Sequence, residues 1–64
     1  MKNNVQFKLQ FSGGHDTLVS YPRTETHRIL TEISYKISQD ITDGVIRDIN
    51  GNLIGDWFLN WEEE

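Results

Sequence analysis

Hydrophobic and polar side chains alternate along the first part of the chain. Val5, Phe7, Leu9 and Phe11 are separated from one another by single polar residues over residues 5–12. A period of two is typical of a β-strand with one buried face, so a first strand is predicted here.

A second strand is predicted at residues 17–21, "TLVSY", which are rich in residues that favour strands. Pro22 cannot donate a hydrogen bond to a sheet ladder and is expected to close this strand. The Gly-Gly-His-Asp segment at residues 13–16 would then be the tip of a hairpin that joins the two strands.

The middle of the chain has the three- and four-residue spacing of an amphipathic helix. Thr24 is the expected N-cap, and Gly44 is placed to end the helix or the short loop after it. Tyr35 lies opposite the apolar stripe, on an outer face shared with Arg28. The stripe consists of Thr26, Ile29, Leu30, Ile33, Ile37 and Ile41.

Residues 45–61 predict a second hairpin, because Asn50-Gly51 is a strong turn signal. We expect a three-residue loop, 50–52, since that loop aligns the largest apolar surface on one face. The aligned residues are Val45, Ile49, Leu53, Trp57, Leu59 and Trp61. The same alternation leaves Ile46, Ile54 and Phe58 on the opposite face.

The predicted order of elements is therefore ββαββ. One helix with one apolar stripe would pack on one face of an antiparallel four-stranded sheet, which is an α+β fold. The 64 residues are expected to form a single small domain, 1–64.

Charge and composition restrict the classes of function. The formal net charge is −4, but three of the ten acidic residues form the terminus, 62–64, which is expected to be a frayed tail. The sequence has no stripe of Lys and Arg, so a nucleic-acid partner is not expected. The chain has no cysteine and no apolar run of the roughly 20 residues that span a membrane, so we expect a cytoplasmic protein without disulfides.

Catalytic and metal chemistry find little support in the sequence. His15 and His27 are the only histidines, and His27 has no second ligand one helical turn later. Residues 48–56, "DINGNLIGD", begin like a calcium loop, but Leu53 stands where that loop needs glycine. We expect no metal site, no cofactor, no catalytic residues and no enzymatic activity.

Aromatic residues and arginine indicate binding instead, because they dominate interaction hot spots. The sequence predicts a small interaction module that binds or inhibits a protein partner. Some phage-encoded inhibitors of host or defence proteins are of this size, so by analogy of size alone we expect a viral protein of that kind. The predicted partner-binding residues are Tyr35, Arg28, Phe58, Trp61, Ile46 and Ile54. The surplus apolar face of the sheet further predicts a homodimer.

An alternative prediction is a site for a small anionic or nucleotide-like ligand. It would lie at the Gly13–Asp16 loop and the start of the helix, where backbone N–H groups and basic side chains could meet an anion. Its residues would be Gly13, Gly14, His15, Arg23, His27 and Arg28.

Overall fold

Within residues 4–62 the fold is α+β, with two helices and one sheet. A computed structural model describes residues 4–62. The elements are β1 (Asn4–Phe11), α1 (Asp16–Ser20), α2 (Pro22–Ser38), β2 (Asp43–Arg47) and β3 (Leu53–Glu62). The strands form one antiparallel sheet in the order β1-β3-β2. The predicted four-stranded sheet is therefore wrong: the sheet has three strands. Of the predicted frayed tail, Glu62 ends β3, and residues 63 and 64 lie outside the described residues.

The segment predicted as the second strand lies in helix α1 and the turn after it. Residues 17–21 were predicted as a strand closed by Pro22; instead, residues 16–20 form a single short helix, and Pro22 opens α2. Proline suits the first helical position, because its fixed φ is helical and its missing N–H would have no partner there. The N-cap of α2 is accordingly Tyr21 and not Thr24. The buried side chain of α1 is Leu18, so this segment contributes to the interior as a helix.

The apolar stripe of α2 is confirmed at its centre and shifted at its edges. Ile29 and Ile33 are buried, but Leu30 and Ile41 are exposed, and Glu25 is buried one turn before Ile29. The core cluster of buried residues is Ile29, Ile33, Ile46 and Trp57. Partly buried residues that pack against it are Leu9, Phe11, Ile37, Ile54 and Leu59.

The helix ends at Ser38, with Gln39 as its C-cap, and Gly44, which was expected to end the helix or the short loop after it, lies inside β2. Asp40 has a φ of 67°. The Asp40 N–H donates to the Ile37 carbonyl at 3.0 Å, and the Ile41 N–H donates to the Lys36 carbonyl at 3.0 Å. This pair of hydrogen bonds is the Schellman arrangement, which needs a residue in the left-handed region directly after the helix.

The register of the second hairpin also differs from the prediction. Arg47 pairs with Leu53, so residues 48–52 form the connection and the expected three-residue loop is wrong. Gly44 pairs with Trp57, which places Ile46, and not Val45, on the side of the sheet that faces the core. Side chains expected in the core are exposed as a result: Val45, Ile49 and Leu53.

A β-bulge explains the position of Ile54. The pairing passes from Ile46↔Gly55 to Arg47↔Leu53, so Ile54 is an extra residue on β3. A bulge turns the side chain at the extra position away from strict alternation, and Ile54 packs against the core. The prediction that Ile46 and Ile54 lie with Phe58 on a second apolar face was therefore wrong, and the patch from which the homodimer was predicted does not form.

Candidate functional site

The sheet extends beyond its third strand as a two-stranded ribbon. β2 pairs with β3 only as far as Phe58, whereas β1 pairs with β3 to Glu62. In this extension Val5 lies opposite Trp61 and Phe7 lies opposite Leu59. Side chains at directly opposed positions share a face, and alternate residues along a strand return to it. These four residues, which we call the apolar ribbon, therefore lie on the same face as Leu9 and Trp57, the face that packs on α2.

The apolar ribbon is largely uncovered. Val5 is 68% exposed, Trp61 49% and Phe7 48%, although the Phe7 ring still contacts Trp57 at a centroid distance of 6.3 Å. The cause is length: at 1.5 Å per residue α2 spans about 25 Å, whereas a ten-residue strand spans about 33 Å. The molecule is accordingly elongated, with extents of 48 × 19 × 18 Å. Its radius of gyration is 13.8 Å, against about 11 Å for a compact chain of this length.

A groove of about 340 Å³ lies between α2 and β2. Its apolar lining comes from Ile29, Ile33 and Ile46, and we call it the β2 groove. Polar and further apolar residues line the rest of it: Arg28, Glu32, Lys36, Val45, Arg47, Asp48, Ile49 and Gly51.

Some of the charged side chains around the β2 groove form ion pairs and others do not. Glu25 is buried, and its carboxylate accepts two hydrogen bonds from Arg28, at 3.1 and 3.2 Å. The same guanidinium donates to Glu32 at 3.1 Å. Desolvation alone would lower the pKa of Arg28, but its hydrogen bonds to Glu25 and then to Glu32 outweigh that effect and raise the pKa. Within residues 4–62, Lys36 and Arg47 have no carboxylate partner, whereas the exposed Glu32 is paired with Arg28, so two unpaired cations border this groove.

Asp48 organises the loop at the end of the groove. Its Oδ1 accepts from the backbone N–H of Asn52 at 2.8 Å and of Asn50 at 2.9 Å, and its Oδ2 accepts from the Asn52 side chain at 2.9 Å. The Asn52 side chain is the main cause of a lowered pKa for Asp48; burial opposes it, and the two backbone N–H groups and nearby His15 add to it. The sequence that begins like a calcium loop is thus a loop in which backbone donors occupy the carboxylate.

The predicted partner-binding residues lie on different surfaces. Tyr35 is on the outer face of α2, 66% exposed, as predicted. Arg28, expected beside it, instead lies against Glu25 and the Arg47 carbonyl at the β2 groove. Trp61 belongs to the apolar ribbon. Phe58 is half-buried on the opposite face of the sheet, in a shallow depression. Ile46 and Ile54 belong to the interior, as described above.

The predicted anion site is not assembled as one cluster. The glycine pair leads into α1, not into a strand as expected. His15 contacts the Asn50 side chain at 3.0 Å and so lies against the β2–β3 loop. Arg23 and His27 line a different surface, with Pro22, Thr26 and Leu30. Arg28 lies in the β2 groove, and Gly14 has open space where a side chain would project.

Val5, Phe7 and Leu59 were missed as candidate binding residues. They continue the alternation that predicted buried strand faces, and were assigned to the core for that reason. The signal that could have found them is length, since the apolar alternation of β1 and β3 extends further than the buried positions of α2 can cover.

Other kinds of site receive no support from the structure. Within residues 4–62, no group of three or more His, Cys, Asp or Glu side chains could hold a metal ion. In the same part of the chain, no helix is both long enough and apolar enough to cross a membrane. Comparison of the chain with protein-family models, curated proteins and solved structures finds no match.

Proposed function

We propose that this protein is a non-enzymatic interaction module that binds a protein partner through the apolar ribbon. The observation that carries the proposal is the exposure of Val5, Phe7 and Trp61 on a face that is buried elsewhere in the same sheet. Contiguous apolar patches of this kind are costly to leave in water and typically mark interaction sites. Tryptophan and phenylalanine in such a patch supply much of the contact area of a hot spot.

The charge beside the ribbon defines the chemistry of the partner. Glu62 follows Trp61 in β3, and the sequence ends in two further glutamates. A complementary surface would have an apolar patch bordered by Lys or Arg, since opposite charges at the rim accelerate and orient encounter. A module that acts by occupying such a surface would inhibit its partner wherever the covered patch is functional.

The test is a pair of matched double variants. Val5→Ser with Trp61→Ser removes the exposed pair at the end of the ribbon, and the control, Val19→Ser with Tyr35→Ser, removes comparably exposed side chains from the helices. A partner captured by the parent from extracts of the organism that encodes the chain should bind the control within about twofold. It should bind the ribbon variant at least tenfold more weakly, which corresponds to a loss of about 1.4 kcal/mol or more of binding free energy. Equal binding by both variants would contradict the proposal.

Sedimentation equilibrium of the parent alone distinguishes a foreign partner from a second copy. We expect a monomer at micromolar concentrations, with the ribbon open for the partner. A dimer that dissociates in the Val5→Ser, Trp61→Ser variant would assign the ribbon to a second copy. The homodimer predicted from sequence would then form, but on a different surface from the predicted one.

A further inference from the structure

The free edge of β2 borders the β2 groove. The Thr42 carbonyl accepts from the Leu59 N–H at 2.8 Å. Because hydrogen-bonded positions alternate in an antiparallel ladder, Gly44 and Ile46 also direct their backbone groups to β3, and Asp43, Val45 and Arg47 direct theirs away from it. No strand among residues 4–62 pairs with that side of β2. At its far end the Arg47 carbonyl accepts from Arg28 at 3.4 Å, which leaves a short open stretch beside Asp43 and Val45.

A buried indole N–H lies next to the same strand. Trp57 is 2% exposed, and its Nε1 has no hydrogen-bond partner among the described residues. A Cβ built on Gly44 would lie 3.1 Å from this nitrogen, so the indole N–H lies directly beside the backbone of β2 at position 44. A glycine inside a strand is often found where another backbone or a ligand approaches closely.

We propose that a short, extended, acidic segment of another protein adds to the free edge of β2 as a fourth strand, with one of its oxygen atoms accepting a hydrogen bond from Trp57 Nε1. Addition of a strand satisfies the outward backbone groups of Asp43 and Val45, and alternate side chains of the segment enter the β2 groove. The segment is acidic because Lys36 and Arg47, which line the groove, have no carboxylate partner in residues 4–62. This site is separate from the apolar ribbon and does not depend on the proposed function.

The probe is the blocked peptide acetyl-Asp-Val-Asp-Val-Asp-amide, titrated into the isotopically labelled protein. The indole N–H resonance of Trp57, distinguished from that of Trp61 by Trp61→Phe, reports directly on hydrogen bonding at Nε1. We expect a saturable downfield shift of this resonance. The same peptide N-methylated at both valines cannot donate along the ladder, and its binding should be at least tenfold weaker. A peptide with Lys in place of Asp should not bind.

Charge reversal tests the groove without disturbing the core. Lys36→Glu and Arg47→Glu should each weaken the peptide about fivefold, which corresponds to an exposed charge pair gained or lost. Lys8→Glu, on the exposed side of β1 away from the groove, is the matched control and should leave the affinity unchanged. Gly44→Ala should abolish the indole shift, because its methyl group would occupy the space beside Nε1.

Three results would overturn the proposal. One is the absence of a saturable indole shift up to millimolar peptide. Another is equal affinity for the N-methylated and unmodified peptides, since binding would then not involve the strand edge. The third is an indole shift that depends on protein concentration alone, which would assign the edge of β2 to a second copy of this chain. None of these results bears on the ribbon variants, so the two proposals fail separately.

Discussion

Gly55 is the position at which β1 and β3 leave no room for a side chain. A Cβ at this position would collide with the Gln10 carbonyl oxygen and lie 2.6 Å from the Cα of Phe11. Both are backbone atoms, so the two strands would have to move apart to make room for the methyl group. Gly55 is also paired with Phe11 on one side and Ile46 on the other, beside the bulge, so a local shift disturbs the whole sheet.

Gly55→Ala is therefore expected to cost about 3 kcal/mol or more, at the upper end of the range for overpacking. A core of this size supplies roughly 3–5 kcal/mol in total, so the variant should be largely unfolded at 25 °C. The assay is urea denaturation followed by tryptophan fluorescence, because Trp57 becomes exposed on unfolding. Gly14→Ala is the matched control: nothing lies within 4 Å of its added methyl group, and we expect a change within about 0.5 kcal/mol of the parent. Equal stability of the two variants would show that β1 and β3 do not pair in this register.

Three further variants test the core, the helix end and the loop. Ile33→Asp places a charge in the buried cluster and should unfold the protein, as measured by circular dichroism. Tyr35→Ala should keep a free energy of unfolding within about 0.5 kcal/mol of the parent. Similar melting of both variants would refute the packing of α2 on the sheet. Asp40→Gly should stabilise the protein by about 0.5–1 kcal/mol in chemical denaturation, because the φ of 67° strains aspartate and not glycine, and a loss would show that Asp40 is held by its side chain. Asp48→Asn should lower the melting temperature most at neutral pH. The pKa of Asp48 is depressed in the folded state, so its stabilisation is complete above the ordinary value of 3.8 and is lost as the pH falls through the lower folded value. The difference from the parent should narrow in that range, and a difference that is independent of pH would refute a role for the charge.

The sequence predicted most reliably what depends on local periodicity. The helix with Ile29 and Ile33 at its centre, the exposure of Tyr35 and the two apolar strands at either end of the chain are all found. Each of these is encoded by several residues at regular spacing, so one misleading residue could not change the outcome.

The errors occurred where a single residue decided between two structures. Pro22 ends a strand or begins a helix with equal chemical justification, and only the packing of Leu18 into the interior favours the helix. In the second hairpin, Asp48 draws two backbone N–H groups onto its carboxylate and lengthens the connection from three residues to five, which alone would leave the predicted faces unchanged. The extra residue Ile54 shifts the pairing by one and so brings Ile46, and not Val45, to the face of Trp57. The bulge at Ile54 then returns an apolar side chain to the core against the alternation. Loop length and bulges are set by hydrogen bonds between distant atoms, which periodicity does not report.

The same geometry explains why the candidate surfaces lie where they do. One helix covers only part of the sheet, so the core ends before the strands do, and the uncovered remainder is the apolar ribbon. β2 is the shortest of the three strands and leaves the groove open along its outer edge. A longer helix would cover the ribbon and a fourth strand would cover the edge of β2, and either would add to a thin core and stabilise so small a domain. Both open surfaces therefore cost the protein stability, and binding on either one would offset that cost by mass action.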